Sequence, residues 1–163
     1  MSVCLLFTGC AAQVNSGQEK VKEAGKKEIL SLYFPNKTSG ELTLEKRFVA
    51  QTGSTSDKVK LVLAELKKGP ISKELVSSFP ERGDVKLVKI QNKTAFIDMD
   101  KDFVSSHPGG SLGELSTVYS IVNSVTAVDG AEKVEFTIDG KKTDEFKGHI
   151  NAADVFTSTV VED

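Results

Sequence analysis

Asp98-Met99-Asp100-Lys101-Asp102 is the segment best equipped for chemistry, because carboxylates at alternate positions begin a calcium-binding loop. A loop of the EF-hand kind also needs glycine at its sixth position and a bidentate acid at its twelfth. Here those positions are Phe103 and Gly109, so the pattern stops after its first turn. The three acids are expected on the solvent face and at the end of a strand. Together with His107 they could be posed as acid, base and metal ligand of a hydrolase. The other histidine, His149, forms no close helical pair with His107. Paired catalytic carboxylates need one member in surroundings that raise its pKa, and exposed strand acids lack such surroundings. The reading is therefore no catalytic residue, no cofactor and no metal, with a cell-wall-acting envelope enzyme as the alternative.

Gly109-Gly110-Ser111 precedes a helical pattern, and helix N-terminal amides attract anions. Ser111 and Glu114, however, have capping-box spacing, which would fill those amides from within the chain. Asn36-Lys37-Thr38 and Asn92-Lys93-Thr94 match glycosylation acceptors but read as turns. Cys4 and Cys10 are the two cysteines, both near the N-terminus. Whatever folds downstream has no disulfide, cysteine-based zinc site or thiol nucleophile. The formal net charge of −2 gives no basic stripe for nucleic acid.

Residues 1–10 read as an address. An apolar run ends in Thr8-Gly9 immediately before Cys10, too short to span a bilayer but fitting a signal-peptide core. Leu6-Phe7-Thr8-Gly9-Cys10 resembles a lipobox, in which Cys10 is acylated. Phe7 departs from the usual leucine, and no basic residue precedes the run, which a truncated gene model or an internal start would explain. Residues 11–28 mix lysine with glutamate, are poor in apolar groups, and read as a flexible tether.

The elements that would position any site follow from periodicity. Leu30, Leu32 and Phe34 alternate on one strand face, and residues 42–49 return as its partner. Val59, Val62, Leu63 and Leu66 make one helical stripe in 54–68, with Ser56 and Asp57 at its start and Gly69-Pro70 at its stop. Strands follow at 85–90 and 94–99, with Ala95, Ile97 and Met99 inward and Phe96 partly exposed. A second helix carries Leu115, Val118, Tyr119, Val122 and Val125 as its buried stripe. Val134, Phe136 and Ile138 form a strand, Asp139-Gly140 a hairpin turn, and residues 141–147 its return. Nine phenylalanines supply large core groups in a chain without tryptophan. The economical arrangement is α+β: two helices packed on one face of a largely antiparallel sheet, with the other face uncovered.

The ordered set Leu32-Tyr33-Phe34-Pro35, Lys67-Lys68-Gly69-Pro70, Thr94-Ala95-Phe96-Ile97-Asp98, Gly109-Gly110-Ser111-Leu112-Gly113-Glu114-Leu115, Tyr119-Ser120-Ile121-Val122-Asn123-Ser124-Val125, Ile138-Asp139-Gly140-Lys141 and Gly148-His149-Ile150 resembles the GerMN domain of bacterial sporulation and germination proteins. The resemblance spans residues 29–150, leaving 151–163 as a C-terminal segment. It implies an exported, often lipid-anchored protein and a fold similar to ring-building-motif domains of secretion systems. It also implies a link to the channel-like assembly between mother cell and forespore. The chain carries one copy, whereas the family's name comes from a tandem protein.

Taken together, the expectation is a binding or assembly module outside the cytoplasm, attached to the cell membrane through Cys10. Its partners would be the membrane and either an envelope protein or itself, with Phe96 as the contact residue.

Overall fold

The computed structural model describes residues 26–143 and 145–160. Cys4, Cys10, the lipobox-like segment and most of the expected tether lie outside them. The first strand, β1 (Lys27–Pro35), takes in Lys27 and Glu28, which the sequence assigned to the tether. It pairs antiparallel with β2 (Leu42–Ala50) in an unbroken register from Lys27 opposite Ala50 to Pro35 opposite Leu42. Leu30, Leu32 and Phe34 face the core, as their alternation requires.

Helix α1 (Thr55–Lys68) buries the expected stripe of Val59, Val62, Leu63 and Leu66. Its cap is Ser54, not Ser56: the Asp57 amide donates to Ser54 Oγ at 3.1 Å. Gly69, at φ 80°, closes the helix in a conformation that favours glycine.

Strands β3 (Val85–Gln91) and β4 (Thr94–Met99) form a hairpin through Asn92 and Lys93, both at positive φ, the turn geometry that matches strand twist. A short helix the sequence did not predict, α2 (Lys101–Ser106), and then α3 (Ser111–Thr126) carry the chain across to β5 (Lys133–Ile138). Because this crossover intervenes, β5 lies parallel to β4. The final strand, β6 (Val155–Phe156), pairs antiparallel with β5. The sheet order is β3-β4-β5-β6, with β1-β2 as a separate two-stranded sheet.

The α+β class and mainly antiparallel pairing are as expected, but the strands divide between two sheets. Helix α3 explains the division, packing against β1 on one side and β5 on the other. Its buried surface therefore extends past the apolar stripe to Glu114, Thr117, Ser120, Asn123 and Ser124. Two of these satisfy the edge of β1. Ser120 Oγ donates to the Tyr33 carbonyl at 2.5 Å, and the Tyr33 amide donates to Ser124 Oγ at 2.9 Å. Leu115, expected in the stripe, is instead 44% exposed.

The expected return strand at 141–147 does not form. Ile138 makes a single bridge to Lys141, after which the chain departs and Phe146 turns into the core. The place beside β5 goes to residues from the C-terminal segment.

Candidate functional site

The three acids of the calcium-like segment do three separate jobs. Asp98, expected on the solvent face, is buried and satisfied: its Oδ1 accepts from Thr137 Oγ1 at 2.5 Å and from the Gly140 amide at 2.7 Å. It thereby pins the Asp139-Gly140 turn. The strand is central, flanked by β3 and β5, so even its outward side is largely covered. Asp100 caps α2, accepting from the Phe103 amide at 2.7 Å. Asp102 is an exposed first-turn acid of the same helix. Among the described residues no group of three or more His, Cys, Asp or Glu side chains is placed to hold a metal ion.

His107 is remote from this chemistry. Its ring is buried against Phe146, with centroids 5.1 Å apart. Nδ1 accepts from the Gly109 amide at 2.9 Å, which leaves Nε2–H to donate to Thr117 Oγ1 at 2.9 Å. Thr117 passes its own proton to the Ser78 carbonyl at 2.6 Å. Burial holds the imidazole pKa below its ordinary value, so His107 is a neutral structural link between the loop before α3 and residue 78. It borders a groove of about 370 Å³ with Pro35, Val76 and Leu112, in which neither Asp98 nor Asp100 takes part.

Glu114 departs most from expectation. The capping box does not form: Gly110 is the N-cap and no side chain bonds there. Glu114 instead points into the protein, fully buried, and accepts from His149 Nδ1 at 2.9 Å and from the His149 amide at 3.1 Å. Burial alone would push its carboxyl up. The His149 ring and backbone bonds, with the Ile150 amide, outweigh that and hold it below the usual carboxylate range. The pair has the form of the carboxylate–imidazole part of a nucleophilic triad. The remaining part is missing, since among the described residues His149 hydrogen-bonds Glu114 and no hydroxyl or thiol.

A second buried network joins the hairpin to α1. Arg47, 6% exposed, donates to Glu45 Oε1 at 2.6 Å, Glu65 Oε2 at 2.8 Å and the Gly69 carbonyl at 2.6 Å, with Phe34 beneath it. Glu45 also accepts from the Ile71 and Ser72 amides. Burial would raise both carboxyls; for Glu45 the Ser72 amide and Arg47 reverse the shift, and for Glu65 Lys68 and Arg47 do. The network is structural, and Glu45 and Arg47 two apart on one strand face were its signal in the sequence.

Part of what remains exposed is apolar surface on the hairpin side. Ile29, Tyr33, Leu44 and Phe48 share the outer face of β1–β2, and Phe48 is 74% exposed. Tyr33, Leu42 and Leu44 meet Leu115, Tyr119 and Val160 in an open groove of about 680 Å³. The four-stranded sheet's outer face is different. Phe96 lies there, partly buried, with Lys89 Nζ 4.7 Å above its ring and Glu135 opposite it on β5.

Comparison with known proteins fits this architecture. The family described as "Sporulation and spore germination" matches residues 31–144, most of the chain. The chain belongs to that family. Its GerMN fold is shared with the first GerMN domain of the sporulation protein GerM from Bacillus subtilis, at 22% identity and TM-score 0.60, covering 76% of this chain and 92% of that one. The tandem GerMN domains of the same protein match at 20% identity and TM-score 0.66, covering 85% of this chain and 51% of that one. The chain thus spans about half the length of the tandem protein. A crystallised Clostridium perfringens protein assigned as a lipoprotein matches at 23% identity and TM-score 0.56, covering 80% of this chain and 87% of that one. No curated protein matches the chain. Among the described residues of this GerMN domain, no helix is long and apolar enough to cross a membrane. The Gly109 to Leu115 segment that carried the resemblance supplies Glu114, and Gly148-His149-Ile150 supplies its partners. The joint role of these distant segments was not visible in either alone.

Proposed function

We propose that the chain is a binding or assembly module of a sporulation or germination envelope complex, held at the outer face of the cell membrane by an acylated Cys10. The observation that carries the binding role is the exposed apolar surface formed by Phe48, Leu44, Leu115 and Val160 around the hairpin groove. Contiguous exposed apolar surface is a mark of interaction sites. The lipoprotein assignment of the Clostridium perfringens neighbour supports the anchor. Each acyl methylene buried in the bilayer would contribute about 0.8 kcal/mol, so a diacylated cysteine suffices to retain the domain. In this reading the principal contact is the hairpin groove, and Phe96 marks a second, more polar contact surface.

The test has two arms. Cys10→Ser should move the protein from the membrane to the soluble fraction; unchanged fractionation would sink the anchor. The full chain displayed on vesicles should give a specific crosslink, to itself or to an envelope protein, that Leu115→Lys weakens. No crosslink, together with turnover of a cell-wall fragment by the purified protein, would favour the envelope enzyme.

A further inference from the structure

Strand β2 has an open edge whose hydrogen-bonding phase can be read from its two ends. The Asn36 amide donates to the Glu41 carbonyl, and the Gln51 amide donates to the Lys26 carbonyl. Both bonds continue the β1–β2 register, and antiparallel pairs alternate between bonded and non-bonded. The odd-numbered residues of β2 therefore point their backbone groups at β1. Leu42, Leu44, Lys46, Phe48 and Ala50 point theirs away. Among the described residues no backbone hydrogen bond reaches these outward groups. The same phase turns the odd-numbered residues of β1 to the opposite edge, where Ser120, Ser124 and the Val76 amide satisfy its C-terminal end at Tyr33 and Pro35.

Proteins usually blunt open edges with bulges, lysines or very short strands. Edge strand β3 has both of the first two, with a register break between Leu87 and Lys89 and with Lys86 and Lys89 flanking it. The other edge strand of that sheet, β6, has two residues. Strand β2 runs nine residues, about 30 Å, without a break. On its outward-facing phase the one charged residue is Lys46, at its midpoint; Glu45 and Arg47 are inward charges already tied to α1 and residues 69–72.

We propose that the occupant of this edge is β2 of a second copy, paired antiparallel about a two-fold axis at Lys46. The sequence Leu42-Thr43-Leu44-Glu45-Lys46-Arg47-Phe48-Val49-Ala50 is complementary to itself in that register. Leu44 stands opposite Phe48 of the second copy, so apolar meets apolar, and Glu45 stands opposite its Arg47, so the inner face brings no like charges together. The residues with outward backbone groups pair with one another, 42 with 50, 44 with 48 and 46 with 46. Within one copy Ile29 already stands opposite Phe48 and Leu44 opposite Tyr33. Pairing therefore joins Ile29, Phe48, the second copy's Leu44 and its Tyr33 into one apolar row running into the second copy's groove. The like-charged Lys46 pair keeps the contact weak in dilute solution. A membrane tether raises the local concentration and favours it.

This proposal rests on the binding-module reading and is tested separately from it. Sedimentation of the full chain is measured in detergent for wild type, Lys46→Glu, their equimolar mixture and Lys46→Thr. Replacing a like-charged cross-strand pair by opposite charges should tighten the mixed dimer roughly two- to thirtyfold over either homodimer. Lys46→Thr should also associate more tightly than wild type. Amide exchange supplies the second readout: protection should rise with concentration at Leu42, Leu44, Lys46, Phe48 and Ala50 and remain level at the odd positions between them. Self-association insensitive to residue 46, or without this alternation, would place the contact elsewhere and overturn the edge proposal while leaving the module reading intact. No self-association together with capture of an envelope protein would also overturn the second-copy assignment. Failure of both would overturn both readings.

Discussion

Glu114→Gln isolates the least expected feature of the fold. The wild-type carboxylate is fully buried and accepts from the His149 ring, the His149 amide and the Ile150 amide. Hydrogen bonds to a charged group contribute about 1.5–3 kcal/mol each, and a buried unsatisfied group costs about 1–3 kcal/mol. Glutamine keeps one acceptor oxygen but replaces the other with an NH2 group facing donors. Relief of the carboxylate's desolvation offsets part of the loss. The expected net destabilisation is about 2–4 kcal/mol, read by urea denaturation at pH 7. The pH dependence supplies a second check. Glu114's folded pKa is depressed, so its stabilisation is fully present above the ordinary carboxyl value of 4.5 and is lost as pH falls through the lower folded value. Wild type and variant should therefore converge in stability as pH drops below 4.5. His149→Ala, which removes the ring bond from a half-exposed side chain and keeps the amide bonds, should cost only about 1 kcal/mol. A Glu114→Gln variant within about 0.5 kcal/mol of wild type, or a difference that does not shrink toward acid, would refute the reasoning.

Four further substitutions test other parts of the fold by chemical denaturation. Val122→Ala opens a cavity at a fully buried position and should cost about 1–3 kcal/mol, whereas Leu115→Ala, at an exposed position, should cost less than about 1 kcal/mol; equal effects would place Leu115 in the core. Arg47→Met removes the buried cation shared by Glu45 and Glu65, which keep the Ile71 and Ser72 amides and Lys68 as partners, and should cost about 1–3 kcal/mol; a neutral result would mean that those partners and solvent satisfy both acids. Gly83 has φ 93°, and a Cβ there would lie 2.0 Å from the Phe103 amide nitrogen. Backbone strain of about 1–3 kcal/mol plus that clash should make Gly83→Ala the most damaging single-methyl addition tested, and near-wild-type stability would disprove the close approach.

Periodicity carried much of the fold because it reports burial directly. Val59, Val62, Leu63 and Leu66 could face only one way on a helix, and Leu30, Leu32 and Phe34 only one way on a strand. It failed where burial was not one-sided. Strand β4 lies between two neighbours, so Asp98 is covered although it alternates with the apolar residues. Helix α3 lies between two sheets, so Glu114, Thr117, Ser120 and Ser124 are inside while Leu115 is outside. Ser111 and Glu114 had the spacing of a local cap, but the partner that wins Glu114 is His149, 35 positions away. No local pattern reports that competition. The exposed hairpin face was legible in principle: Ile29, Tyr33, Leu44 and Phe48 alternate as regularly as the core residues, on the opposite parity. The sequence reading treated that parity as solvent-facing and sought the contact surface at Phe96.

The two faces of the hairpin sheet and its two edges are resolved by different chemistry, and this gives the domain a direction. A lone pair of nine-residue strands has two rows of unpaired backbone groups. On the β1 side, small hydroxyl side chains let α3 come close enough to accept the Tyr33 amide and donate to its carbonyl, as a neighbouring strand would. Ser124 in turn donates to the Ser120 carbonyl at 2.6 Å, so the hydroxyl that receives the Tyr33 amide is held in place by the helix itself. That arrangement spends α3 on closing one edge and fills the space between the hairpin and β5. Among the described residues no third long helix closes the other edge in the same way, α2 being a single short segment after β4. Arg47 ties the inner face of β2 to α1 and Glu45 ties it to the Ile71 and Ser72 amides, while among the described residues no backbone hydrogen bond reaches its outward groups. Among the described residues the hairpin is thus closed at the Tyr33–Pro35 end of β1 and open along β2, with Leu44 and Phe48 exposed beside the open edge.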